Sequence, residues 1–323
     1  MKSIILCTMT RNHLRFLIPM IETICDMGHE VLLYTNFGEI GNDTLSYKVN
    51  EFSEKYKRFY VLDLRDEERV IDYSKGANSM LVTSGTSNVY HSIDYNLCKK
   101  VKCKTFAIQH GISQEGITRL PKYHFSADKV IAWIKEENLH PDVSTPKEKF
   151  IFVGVPDHYY DSDMTPIEDS KVFFFTNGFD KPNDQDIKLD TSKGEWKGIY
   201  TTKWKEETWD KILTLSHGSC YFVRHPTCSG GKLHPKLSYL LKKKNMHLVD
   251  NTWLSENNIN RSQLYSIASK YYVTYPSSCW VDCILNDVDY EVFVDYNSNV
   301  DILLEESLCG INKTNEICNL LLE

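Results

Sequence analysis

Ser3-Ile-Ile-Leu-Cys-Thr-Met9, the stretch Leu14 to Met27, and His29-Glu-Val-Leu-Leu-Tyr-Thr35 decide the fold. The first is an almost unbroken apolar run, the pattern of a strand buried on both faces. In the second, Leu14, Leu17, Ile18, Ile21, Ile24, Cys25 and Met27 recur at helical spacing, and Gly28 closes the helix. The third is a strand again. Between the first two lies Thr10-Arg-Asn-His13, a polar loop at the carboxyl end of a core strand. Such a β-loop-α-β unit takes a right-handed crossover. Its glycines do not spell G-x-G-x-x-G, so no dinucleotide fingerprint is present.

The alternation continues outward. Strands are predicted at 59–63, at 79–83 before the small-residue turn Ser84-Gly-Thr-Ser-Asn88, at 104–109 before His110-Gly111, at 129–133 and at 149–153. Gly154-Val-Pro156 ends this set, giving a first domain of 1–156. Residues 157–170 are polar and acidic and read as a linker. A second domain, 171–323, holds strands at 171–176, 220–223, 246–249, 270–275 and 289–294. Its helices are predicted at 204–215, 234–244, 262–269, 280–285 and 313–322. A chain of 323 residues suits two such α/β domains.

Apolar residues make up 41% and charged residues 25% of the chain, which is ordinary for a globular protein. A net charge of −7 argues against a general nucleic-acid binder, although Lys242-Lys243-Lys244 forms a local basic patch. None of the 10 cysteines forms a C-x-x-C pair, and several sit inside apolar runs. That favours reduced, buried thiols over disulfides or zinc. The opening Met-Lys-Ser-Ile-Ile-Leu-Cys lacks a cleavage site and reads as a strand, not a signal peptide. No apolar run reaches the roughly 18–20 residues of a membrane span. A cytoplasmic protein is expected, with at most peripheral contact at the inner face of a membrane.

Three strand ends carry residues fit for a ligand. In Tyr221-Phe-Val-Arg-His-Pro-Thr227, proline stops a core strand and leaves Arg224 and His225 at its carboxyl end. They read as a ligand site or as a solvated pair. At Gln109-His110-Gly111, His110 reads as a general base or as the cap of a helix start, and Gly111 admits close backbone approach. At Pro276-Ser277-Ser278, the two hydroxyls form an anion site or a plain N-cap. His234 also precedes a proline, but it begins a basic surface helix. No His/Cys metal cluster stands in the chain, so neither metal nor other cofactor is expected.

The stretch HLRFLIPMIETICDMGHEVLLYT (13–35) resembles the first βαβ of GT-B-fold glycosyltransferases. With VGVP, QHG, RHP and PSS, the order resembles bacterial sialyltransferases, Kdo transferases and CDP-glycerol phosphotransferases of surface-polysaccharide assembly. The resemblance implies two Rossmann-like domains facing across a cleft, and a CMP- or CDP-activated donor. It implies that His225, Pro226, Ser277 and Ser278, with Arg224 beside them, hold the cytidine phosphate. Sialyltransferases of this group carry an acidic pair before a glycine where this chain has Thr176-Asn177-Gly178. Asp180 is the nearest carboxylate, ahead of Asp184 and Asp186, and it reads as the catalytic acid or as a solvated loop residue. His110 resembles the base of the phosphotransferases. His13, Ser84, Thr86 and Gly111 fall on the acceptor side. The activity implied is transfer of a Kdo- or sialic-acid-like sugar to a bacterial surface glycan, as in capsule or lipopolysaccharide. The alternatives are a CDP-glycerol or CDP-ribitol phosphotransferase, a UDP-sugar 2-epimerase, and an inactive binding module.

Overall fold

Every apolar run named above is a strand in the computed structural model. It describes residues 1–10, 13–35, 44–160, 167–182, 188–191, 194–197, 202–225, 231–257, 259, 261–296 and 302–323. The chain forms two compact units, Met1–Tyr159 with Leu303–Glu323, and Tyr160–Ile302.

The first unit is built on β1 (Ser3–Thr8), β2 (Glu30–Thr35), β3 (Phe59–Asp63), β4 (Ser79–Val82), β5 (Lys104–Ile108), β6 (Lys129–Ala132) and β7 (Phe150–Phe152). They form one parallel sheet in the order β3-β2-β1-β4-β5-β6-β7. The chain winds outward to β3, then returns to lay β4 on the other side of β1. Its helices include α1 (Leu14–Asp26), α2 (Thr44–Lys55), α3 (Glu67–Tyr73) and α4 (Ser92–Lys100).

On α1, Leu14, Leu17, Ile18, Ile21 and Ile24 are buried in a cluster with Leu6, Val31, Leu33 and Phe52. Pro19 sits inside this helix. It has no N–H, so the Arg15 carbonyl loses its helical partner. The Tyr159 amide takes that place at 2.6 Å and fixes the chain beside His158.

The second unit has β8 (Ser170–Phe174), β9 (Lys188–Thr191), β10 (Gly194–Lys197), β11 (Ser219–Val223), β12 (Met246–Val249), β13 (Lys270–Thr274) and β14 (Tyr290–Phe293). Five of these form a parallel sheet, β12-β11-β8-β13-β14, and β9 and β10 form a separate antiparallel pair. Its helices are α5 (Thr202–Leu215), α6 (Pro235–Leu240), α7 (Asn251–Glu256) and α8 (Cys279–Leu285). Phe173 is in register with Phe222 on one side and Tyr272 on the other. The three rings therefore stack across the sheet, with centroids 5.2 and 4.8 Å apart.

Four expectations need correction. The helix expected at 234–244 ends at Leu240, and the chain runs on through turns to Asn245, which has φ 63°. The one expected at 262–269 is a 3-10 turn of Ser262–Tyr265. Helices α2, α3, α4 and α7 were not anticipated. In α2, Val49 and Phe52 are the large apolar side chains fully buried, too few to reveal the period. The second domain does not run to residue 323. Helix α9 (Thr314–Leu322) buries Ile317, Cys318, Leu321 and Leu322 in the core of the first unit. Asn78 Nδ2 and Ser79 Oγ donate to its Leu321 carbonyl at 2.8 and 2.6 Å. Of the linker expected at 157–170, residues through Tyr159 pack with the first unit, and 161–166 lie outside the described residues.

Candidate functional site

Each sheet reverses its strand order once, and an open α/β sheet offers its ligand crevice there, beyond the carboxyl ends of the strands. In the first unit the reversal falls between β1 and β4. His13 follows β1 and Thr83 follows β4, and His13 Nδ1 lies 2.9 Å from Thr83 Oγ1. The hydroxyls decide the tautomer. Thr8 Oγ1 donates to the Thr10 carbonyl at 2.9 Å. Thr83 Oγ1 donates in turn to Thr8 Oγ1 at 3.1 Å. Its one proton is then used, so it accepts from His13 Nδ1–H. The lone pair of His13 is left on Nε2.

His110, after β5, packs against His13 with ring centroids 4.4 Å apart and the ring planes tilted by 36°. His91 meets His110 edge-on at 5.8 Å. His158 packs against Phe16 and Trp133. Burial, reinforced by neighbouring His110 and Arg15, holds His13 well below the ordinary imidazole range. Burial takes His110 down to about 3, against a hydrogen bond to the Thr83 backbone. That bond favours the protonated ring, so its acceptor is the carbonyl. His110 Nδ1 is buried without a partner. Nε2–H therefore makes the bond and Nδ1 holds the lone pair. No helix starts at His110, so a helix-cap role is excluded.

The turn after β4 divides its labour. Ser84 Oγ donates to Asp94 Oδ2 at 2.7 Å, and Cys7 Sγ lies 3.5 Å from Oδ1. Asp94 is fully buried, and burial pushes its carboxyl up to about 6. Gly85 has φ 84°, and a Cβ there would lie 2.9 Å from Val82 Cγ2, so the turn requires glycine. Thr86 Oγ1 is buried without a partner. The Gly111 carbonyl accepts from Gln109 Nε2 at 2.8 Å, and Gln109 Oε1 accepts from the Trp133 amide at 2.7 Å. Gln109 thus fastens the His110 loop to β6.

In the second unit the reversal falls between β8 and β13. Thr274 Oγ1 accepts from the Thr176 amide at 2.8 Å and pins the two strand ends together. Beside them the structure corrects two expectations. Asp180 is 0% exposed and Arg224 6%, and Arg224 Nε donates to Asp180 Oδ2 at 2.5 Å. Neither residue is solvated. A buried charge requires a partner, and these two supply one another through Oδ2, while Asp180 Oδ1 is buried without a hydrogen-bond partner. His225, next in the chain, is half-buried. Burial lowers its imidazole, as does Arg261, while Asp180 acts in the opposite sense. Arg261 Nη1 donates to the Arg224 carbonyl at 3.4 Å. Arg261 lies in a polar stretch without periodicity and gave no sequence signal.

Ser277 Oγ accepts from the Cys279 amide at 3.3 Å. Ser278 is the N-cap of α8 without a side-chain cap bond. Pro226, Asp184 and Asp186 lie outside the described residues. His234 is not on a surface helix face. It is 2% exposed, stacks on Trp209 at 4.6 Å, and caps α6 by accepting from the Lys236 amide at 3.3 Å.

Triplets of the form D-x-D stand at 161–163, 184–186 and 287–289, and the first two lie outside the described residues. Among the described residues no group of three or more His, Cys, Asp or Glu is placed to hold a metal ion. Nor is any helix long and apolar enough to cross a membrane. A cavity of about 700 Å³ near Glu30, Tyr60, Arg69 and Tyr73 contains none of the candidate residues.

No family model matches the sequence, and no curated protein matches it. The structure is similar to Anabaena HepE solved in complex with UDP and glucose. That match has 9% identity, spans 99% of this chain and 89% of that one, and has a TM-score of 0.51. The same protein in complex with UDP-glucose matches at 9% identity over 99% and 89%, TM-score 0.50. The chain has a GT-B-like fold. Its two units are the two Rossmann-like domains of that fold. A putative UDP-N-acetylglucosamine 2-epimerase from Listeria monocytogenes is also similar, at 11% identity over 90% and 79%, TM-score 0.48.

Proposed function

We propose that this protein is a glycosyltransferase using a nucleotide-activated sugar, with the acceptor bound by the first unit and the donor by the second. The carrying observation is the packed His13–His110 pair near the strand reversal of the first sheet, with His13 Nδ1 bonded to Thr83, His110 Nδ1 without a partner, and burial favouring the neutral form of both rings. A neutral ring with a free nitrogen can take a hydroxyl proton, and its low proton affinity makes it a weak base until an anion bound beside it favours the imidazolium. The acceptor oxygen then bonds to the anomeric carbon. The bond from that carbon to the phosphate oxygen breaks, and its electron pair leaves with the nucleotide. His225 and the hydroxyls of Ser277 and Ser278 would meet the departing phosphate, with Arg261 adding positive charge. The complexes of HepE with UDP and UDP-glucose support a nucleotide-sugar donor. The RHP and PSS motifs support a cytidine nucleotide, hence CMP-activated Kdo or sialic acid.

The test is nucleotide release from a CMP-sugar, a UDP-sugar and CDP-glycerol, in wild type and in His110→Ala. Release from one nucleotide-sugar is expected, reduced by about 10²-fold or more in the variant, the usual worth of a general base. His13→Ala tells which ring is the base. Release from CDP-glycerol alone would make the protein a phosphotransferase. Full turnover in both histidine variants would remove the base assignment.

A further inference from the structure

The loop after β5 carries polar groups that the reading above leaves unused. Gln114 is 3% exposed. Its Oε1 accepts from the His110 amide at 2.7 Å, which sets the carboxamide against His110. Its Nε2 is buried without a partner, as are Arg119 Nε, His110 Nδ1 and Thr86 Oγ1. The Arg119 amide donates to the Gln114 carbonyl at 3.1 Å, which holds the two residues in one turn of the loop, and the Arg119 charge lowers the proton affinity of His91 and His110. Glu115 does not satisfy the guanidinium. Its Oε1 is 3.7 Å from Arg119 Nη2, beyond hydrogen-bond reach, and its Oε2 accepts from Asn88 Nδ2. The loop is held in shape. Gly116 has φ 71°, its amide donates to the Arg119 carbonyl at 2.8 Å, and a Cβ there would lie 2.5 Å from the Tyr123 carbonyl.

Such buried polar groups are rare and call for an explanation. The inventory has a sign. Gln114 Nε2 and Arg119 Nε can only donate, the threonine hydroxyl can donate or accept, and His110 Nδ1 can accept. A complementary group must therefore offer several lone pairs to fixed N–H donors, one of them charged. A carboxylate does this, and it gains the added strength of a charge-assisted hydrogen bond. A neutral sugar hydroxyl offers fewer lone pairs and brings a donor of its own.

We propose that Gln114 and Arg119, with the Thr86 hydroxyl as a third donor, form a binding site for the carboxylate of an acidic sugar beside His110, whose Nδ1 lone pair is left to accept from a sugar hydroxyl. Calling that sugar the acceptor rests on the transferase reading; the binding itself does not. The inference also bears on His110. Its proton affinity is low chiefly because of burial, and a bound carboxylate acts against burial by favouring the imidazolium. An acidic acceptor would thus strengthen its own base.

The experiment compares methyl β-D-glucuronide with methyl β-D-glucoside, titrated into the full-length protein and followed by NMR. The glucuronide is expected to bind about tenfold more tightly or better, the worth of one charge-assisted hydrogen bond. Gln114→Glu keeps the oxygen that accepts from the His110 amide, removes the N–H donors and adds a repelling charge. It should abolish the preference. Arg119→Lys keeps the charge without Nε–H and should retain only part of it. Equal binding of the two glycosides, no binding of the glucuronide, or an unchanged preference in both variants would each overturn the proposal. Glucuronide binding without nucleotide release from any donor would leave this site standing and remove the transferase reading instead.

Discussion

At the carboxyl end of the first sheet, Thr86, His110, Gln114 and Arg119 bury polar atoms that no other protein group meets. At the carboxyl end of the second, Arg224 and Asp180 are buried against each other. The two places are equivalent in topology, each near the point where the strand order reverses. Their energetics differ. An ion pair formed within the chain is scaffold, even though Asp180 Oδ1 is left without a hydrogen-bond partner, because opening the pair leaves a charge stranded in the interior. Donors left without acceptors are what a ligand completes. Position in an α/β fold thus says where a ligand binds, and the state of the polar groups says which residues are free to bind it.

The largest expected effect tests the scaffold side. Asp180→Ala should destabilise the second unit by about 3–5 kcal/mol, as removal of one partner from a buried pair does. Urea unfolding measures it. The double change Asp180→Leu with Arg224→Met should recover most of the loss, because no charge is then stranded. A stable Asp180→Ala protein with no turnover would break the comparison and return Asp180 to a catalytic role.

His234 sharpens the same contrast within one motif type. Both His225 and His234 precede a proline, yet only His225 ends a core strand. His234→Ala should lower stability by about 2 kcal/mol, roughly 1 for the lost cap and 1 for the ring stacked on Trp209. Nucleotide affinity should not change. A weakened donor affinity at unchanged stability would move the donor site toward residue 234.

Among the described residues the twelve strands of the two parallel sheets could be read from the sequence, helped by unbroken apolar runs such as Ile4 to Cys7 and Val172 to Phe175, whereas the antiparallel pair β9 and β10 was not anticipated. Helices lying half on the surface were harder. The sequence over α2 mixes Lys48, Glu51, Glu54 and Lys55 with few buried residues. His110 was legible because it follows a core strand directly, while His13 entered only on the acceptor side that the resemblance implied. Gln114 and Arg119 were not legible, since an irregular loop has no period and its meaning depends on hydrogen bonds. The Asp180–Arg224 pair was hidden for a related reason. Both residues were singled out, but their contact joins positions far apart in the chain. The destination of α9 was hidden too, since an apolar face does not name the unit it will cover.

The smallest effect separates the two kinds of buried group by pH. Asp94 is satisfied by Ser84 and Cys7 yet still carries a burial penalty, which raises its carboxyl to about 6. The unfolded value is about 3.9. A folded pKa above the unfolded one means the protonated form is the better folded form. The contribution of Asp94 to stability is therefore fully present below about pH 3.9 and is lost as pH rises through about 6. A shift of about two units amounts to roughly 3 kcal/mol. Asparagine escapes that penalty but makes a poorer acceptor pair, a loss of about 1 kcal/mol. Asp94→Asn should then be more stable than wild type by roughly 1–2 kcal/mol at pH 7–8, with the gain vanishing toward pH 4–5. His13, His91 and His110 are shifted downward, and their contribution falls in the opposite sense as pH drops below about 6.5. They are present in both proteins and cancel in the difference. A stability difference that stays flat between pH 5 and 8 would show that Asp94 is ionised throughout, and that the turn bearing Ser84 and Thr86 is held by a charge.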